Sequence, residues 1–172
     1  LRVDGDRVRC AHAIIASSLV SSLSPGTVRE LHARIAVELD DPIEVAVHSA
    51  EAVAGPDASI AERLDAAATV AIHRGASLES VALRERALAL TEPEDVAALA
   101  RRRFALADAL FTAGDTEAAR EHLREVLLDD PAVEAVTRRE TLLLLATIAW
   151  FDSGQGQAVA LGEQALAVSP DD

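Results

Sequence analysis

The sequence predicts an all-α protein assembled from antiparallel helix pairs, and three observations carry that expectation. Half of the 172 residues are apolar but only 2% are aromatic. Alanine alone accounts for 36 positions; it has the best helix propensity and lets helices approach closely. Helix-start signals recur along most of the chain, and glycine- and proline-marked positions repeat about every 39 residues.

Taken in order, Leu1–Arg9 reads as two short extended runs around the turn Asp4-Gly5-Asp6, a hairpin. Helical patterning follows, over 12–22, 25–39, 42–54, 57–74, 77–91, 94–113, 116–129, 132–153 and 156–168. Ser24-Pro25, Asp41-Pro42 and Asp130-Pro131 each offer a capping side chain followed by proline at the first helical position. Ser59 and Glu62 have capping-box spacing. The connections are short, as antiparallel neighbours require.

Internal repetition is the strongest signal. Gly75, Gly114 and Gly154 are spaced 39 and 40 residues, Ala87, Val126 and Ala165 by 39 and 39, and Pro93, Pro131 and Pro170 by 38 and 39. The middle unit reads Leu106-Ala107, Leu110, Gly114-Asp115, Ala119, Leu123, Val126-Leu127, Pro131. That alternation of small and large residues resembles a tetratricopeptide unit. The resemblance implies a tetratricopeptide-like right-handed helical-repeat solenoid of antiparallel helix pairs, after a short N-terminal hairpin remnant. A single pair cannot bury its apolar face, so neighbours must stack. The expected organisation is 1–11 as the end of a preceding winged-helix subdomain, 12–56 as linking helices, and 57–172 as repeats over about 57–93, 94–131 and 132–170.

Composition excludes several functions. All sixteen basic residues are arginine, so neither a phosphate-binding loop nor Schiff-base chemistry, both of which need a lysine amine, is encoded. The net charge is −13, with a surplus of acids after residue 40. Such a body repels nucleic acid, and no direct DNA contact is expected. The lone Cys10 and the absence of a long apolar run predict a cytoplasmic protein without membrane contact. The absence of Met predicts that Leu1 lies inside a longer protein.

Catalytic patterns are not evident. His12, His32, His48, His73 and His122 include no i, i+4 pair of the kind that holds zinc on a helix. No serine stands in a G-x-S-x-G turn, Cys10 reads as a packed residue, and Asp40-Asp41 and Asp129-Asp130 read as helix-end acids. The expectation is no enzyme, no metal and no cofactor in this chain.

The N-terminal third carries a more specific resemblance. Val3-Asp4-Gly5-Asp6-Arg7-Val8-Arg9-Cys10-Ala11-His12, Ile14-Ile15, Ser24-Pro25 and Arg29-Glu30-Leu31-His32-Ala33-Arg34-Ile35-Ala36 are similar to one junction in large ATP-binding transcriptional regulators of the LuxR type. There the winged-helix subdomain of the ATPase module ends and helical repeats begin. Glu44-Val45-Ala46-Val47-His48-Ser49-Ala50 resembles the next helix of those proteins. Cys10 stands where phenylalanine is usual and Ala13 where proline is usual. The likeness covers about residues 1–95. It implies a bacterial regulator with an ATPase before this region and a helix-turn-helix after it, so ATP would bind outside this chain.

One constellation suggests a binding surface. Arg101, Phe104, Asp108 and Phe111 form one helical stripe with spacings of 3, 4 and 3, and Glu140, Leu143, Thr147 and Trp150 form another, with Phe151 adjoining. Glu62, Asp65, Thr69, Ile72 and His73 occupy the preceding unit. In a tetratricopeptide register these face a concave groove for a peptide, protein or small-molecule effector. The same rings would equally serve packing against missing repeats or against a second copy of the chain; other domains of the parent protein and self-association are the remaining expected partners. The reading is a non-catalytic sensing module of a LuxR-type regulator. The alternative is a stand-alone adaptor that takes a basic or amphipathic peptide helix.

Overall fold

A computed structural model describes residues 2–4, 7–9, 21–128, 133–152 and 154–168. Among these it shows eight α-helices and one two-stranded hairpin, so the chain is essentially all-helical. It divides into two compact units, Leu1–Ala54 and Gly55–Asp172.

In the first unit, β1 (Arg2–Asp4) pairs antiparallel with β2 (Arg7–Arg9), Val3 opposite Val8. The two expected extended runs therefore pair, and residues 5 and 6 of the turn expected between them lie outside the described residues. Cys10, His12 and nearly all of the helix expected over 12–22 lie outside the described residues. Helix α1 (Pro25–Glu38) starts where Ser24 Oγ accepts the Thr27 N–H at 3.1 Å, and proline occupies its first turn. Helix α2 (Pro42–Ala52) starts on Asp41, whose Oδ1 accepts from Ile43 N at 2.9 Å and Glu44 N at 3.3 Å. The two helices pack together. At their contact His32 Nδ1 and His48 Nδ1 lie 2.9 Å apart, their ring centroids separated by 5.0 Å.

The second unit holds α3 (Ala58–His73), α4 (Ser77–Ala89), α5 (Val96–Ala113), α6 (Thr116–Leu128), α7 (Ala135–Asp152) and α8 (Gln155–Ala167). Each packs on the next in sequence, and α5 also touches α7. Turns at Gly75, Gly114 and Gly154 separate the members of each pair, and all three glycines have positive φ, at 78°, 93° and 88°. The first two turns share one hydrogen-bond scheme. Ala76 N donates to Ala71 O and Asp115 N to Leu110 O, both at 2.9 Å, spanning five residues as in a Schellman closure.

The interior follows the small-and-large rule of the sequence. Ala61, Ala68, Ala71, Ala87, Ala107 and Ala119 have no exposed surface, and neither do Leu64, Leu123 and Val126. Alanine lets the helix backbones approach, and the branched side chains fill the space on either side. One cluster joins Leu106, Ala107, Ala109 and Leu110 of α5, Ala119 and Leu123 of α6, and Leu145 and Ile148 of α7.

Two sequence expectations need correction. Helix α3 is capped by Asp57, not by a box at Ser59: Asp57 Oδ1 accepts the Ile60 N–H at 3.0 Å and the Ser59 hydroxyl at 2.9 Å. Asp57 N in turn donates to Leu90 O at 2.9 Å, a contact 33 residues away that holds Asp57 in the extended conformation a cap needs. Helix α7 begins at Ala135, with Arg138 N donating to Glu134 O, and not at 132. The Asp130-Pro131 signal and Pro170 lie outside the described residues.

Candidate functional site

The sequence stripes are divided by the structure. On α7, Leu143, Thr147 and Trp150, with Phe151, line one cleft of about 470 Å³ together with Ala146 and with Ala158 and Val159 from α8. Trp150 is 54% exposed, Phe151 75%, Val159 55% and Leu143 47%. Glu140 is exposed one turn before Leu143 on the same stripe.

On α5 the pattern has a different fate. Phe104 and Phe111 are half-buried against the cluster that contains Leu145 and Ile148 of α7. The four aromatic residues therefore do not share one open surface, because the first two pack against this cluster. Arg101 and Asp108 stay exposed, and Arg101 Nη1 lies 3.4 Å from Glu134 Oε1. Sequence reasoning missed Ala158 and Val159, which carry no aromatic or charged signal. Ala158 stands 39 residues after the buried Ala119, and that spacing could have revealed it.

The cleft is chemically plain. The Thr147 hydroxyl donates to Leu143 O at 2.9 Å, so its hydrogen is already used. The Trp150 indole N–H is the remaining side-chain donor of the lining. Such a surface favours apolar contact and offers little to orient a polar reactant.

A second cavity, of about 340 Å³, is polar. Glu62 and Asp65 of α3, Arg84 of α4, and Arg101 and Arg102 of α5 line it. Arg102 Nε donates to Asp65 Oδ2 at 2.8 Å, and its Nη1 to Thr91 Oγ1 at 2.9 Å. Thr91 passes its own hydrogen to Ala87 O at 2.9 Å. Asp65 Oδ1 and Arg84 Nε find no partner, but both atoms are sealed from the surface and a ligand could not touch them. This network ties helices together. A third cleft, of about 510 Å³, lies along α1 between Leu31 and Leu39.

Among the described residues no group of three or more His, Cys, Asp or Glu side chains could hold a metal ion. No described helix is long and apolar enough to cross a membrane. No protein-family model matches this chain, and no curated protein matches it significantly.

Proposed function

We propose that this chain is a non-catalytic binding module, a tetratricopeptide-like solenoid of stacked helix pairs within a bacterial transcriptional regulator of the LuxR type. The observation that carries the binding role is the open apolar cleft on α7 and α8, where Trp150, Phe151 and Val159 are each more than half exposed. Contiguous exposed apolar surface of this kind marks contact sites on water-soluble domains. The packing of each helix on its sequence neighbours, the two identical glycine turns and the 39-residue spacing support the solenoid. The residues around His12, His32 and His48 support the assignment to the LuxR type. In such a regulator, occupancy of the cleft shifts how the ATPase and DNA-binding ends are presented, a coupling between distant sites. ATP would be held outside this chain, and the surplus of acids keeps the module off DNA.

The reading frame of the gene tests the family assignment: a nucleotide-binding module before this region and a helix-turn-helix after it are expected, and the absence of both would sink it. For the binding role, thermal scans of the chain against pooled metabolites and peptides should find a pool that raises the midpoint and changes Trp150 emission. Silence from every pool would leave the module as scaffold.

A further inference from the structure

The polar cavity among α3, α4 and α5 holds two charges that the helix-tying network leaves over. Its charged lining consists of Glu62, Asp65, Arg84, Arg101 and Arg102. Asp65 is taken by Arg102, and Arg101 is paired with Glu134. Among the described residues, the side chains of Glu62 and Arg84 pair neither with each other nor with any other group. One carboxylate and one guanidinium therefore line the same space of about 340 Å³ without partners.

Arg84 is half-buried, and its Nε is sealed from the surface. Packing thus fixes the root of the guanidinium, and only the terminal nitrogens can meet an incoming group. A planar guanidinium held in this way takes a carboxylate through two parallel hydrogen bonds. Glu62 is exposed on α3 and, ionised, offers acceptors only. Ala98 and Ala105 complete the lining and leave room for a short apolar group.

The two leftover charges select the ligand. A plain anion on Arg84 would meet the like charge of Glu62, and a plain cation on Glu62 would meet that of Arg84. Either would also strip water from the second group without replacing it. A molecule that carries both an ammonium and a carboxylate satisfies both. We infer that this cavity is a binding site for a free α-amino acid with a small aliphatic side chain, its carboxylate on Arg84 and its ammonium on Glu62. The cavity is of small-molecule size. Trp150 is not in its lining, so the site stands or falls separately from the role given to the α7–α8 cleft.

The test is calorimetric titration of the whole chain with L-alanine, L-valine and L-leucine, each beside its N-acetyl and its carboxamide derivative. Saturable binding of at least one amino acid is expected, with no change in Trp150 emission. Loss of the ammonium in the N-acetyl form, or of the carboxylate in the amide, should each weaken binding by about tenfold, the size of a charged hydrogen bond. Glu62→Gln should weaken the amino acid by a similar factor and leave the N-acetyl form unchanged. Arg84→Gln should weaken the amino acid and leave the carboxamide unchanged. If Arg84→Gln fails to fold, as shown by circular dichroism, Arg84→Lys replaces it, keeping the charge and losing the fork. No binding of any amino acid overturns the inference. So does equal or tighter binding of either derivative, or binding indifferent to both variants. A Trp150 response to other pools with no amino acid bound would remove this site and leave the α7–α8 reading standing. Amino-acid binding with Trp150 silent toward every pool would do the opposite.

Discussion

Arg102 of α5 reaches Asp65 of α3 with an Nε to Oδ2 distance of 2.8 Å, joining the first helices of two successive pairs across 37 residues. The arginine side chain is only 10% exposed, so the pair is largely removed from water. A second hydrogen bond to the buried Thr91 completes its contacts on that side. Burial makes the partnership costly to break and less costly to replace entirely. Arg102→Met should cost about 2 kcal/mol, lowering the midpoint by roughly 4–8 °C in a domain of this size. Adding Asp65→Leu should recover part of that loss. A double variant less stable than Arg102→Met alone would show that the arginine does not hold Asp65 in place.

The glycine turns predict opposite effects for one chemical change. Gly114 has φ of +93°, where an L side chain is strained, although a methyl group there would meet nothing within 4 Å. Gly162 lies inside α8 without positive φ and with equally open space. Gly114→Ala should lower stability by about 1 kcal/mol, and Gly162→Ala should raise it by about 0.5 kcal/mol. Urea unfolding midpoints of the two variants measure both signs. Equal effects would contradict the left-handed turn.

Asp57 predicts a pH dependence. The Ile60 N–H and then the Ser59 hydroxyl hold its carboxyl below the ordinary carboxylate range. A depressed folded-state pKa means that the contribution is fully present above the unfolded value of about 3.9 and fades as pH falls through the folded value. Asp57→Ala should therefore melt below the parent chain at pH 7, with a gap that narrows as pH falls below about 3.9. A constant gap would mean that the cap acts through shape alone.

The His32–His48 contact predicts a local effect. One Nδ1 must donate and the other accept across 2.9 Å. His48→Phe keeps a ring and removes the bond, so α1 should open more easily by about 1 kcal/mol. Hydrogen exchange of α1 amides should accelerate, while α5 and α7 amides keep their rates.

Legibility in the sequence followed the range of the interactions. Caps at Ser24 and Asp41 announced α1 and α2 because a capping side chain bonds its own first turn. The cap of α3 was misread because Ser59 and Asp57 are both capping types, and the choice rests on the distant Leu90 carbonyl. On α7, Leu143, Thr147 and Trp150 share one exposed face, as spacings of 4 and 3 require on a helix. The same spacing on α5 gave no warning that Phe104 and Phe111 are half-buried against the core cluster, because periodicity marks a face but not what covers it. Arg102–Asp65 joins residues with no local relation, and nothing in either helix alone announces it.

Trp150 emission of the free chain tests most directly whether the α7–α8 face is the open, apolar binding surface proposed for it. Dilute solutions shown to be monomeric by sedimentation should give red-shifted emission and quenching by acrylamide near that of an exposed indole, in keeping with its 54% exposure. Blue-shifted emission, shielded from acrylamide in the monomer, would contradict an open cleft and with it the binding role assigned to this module.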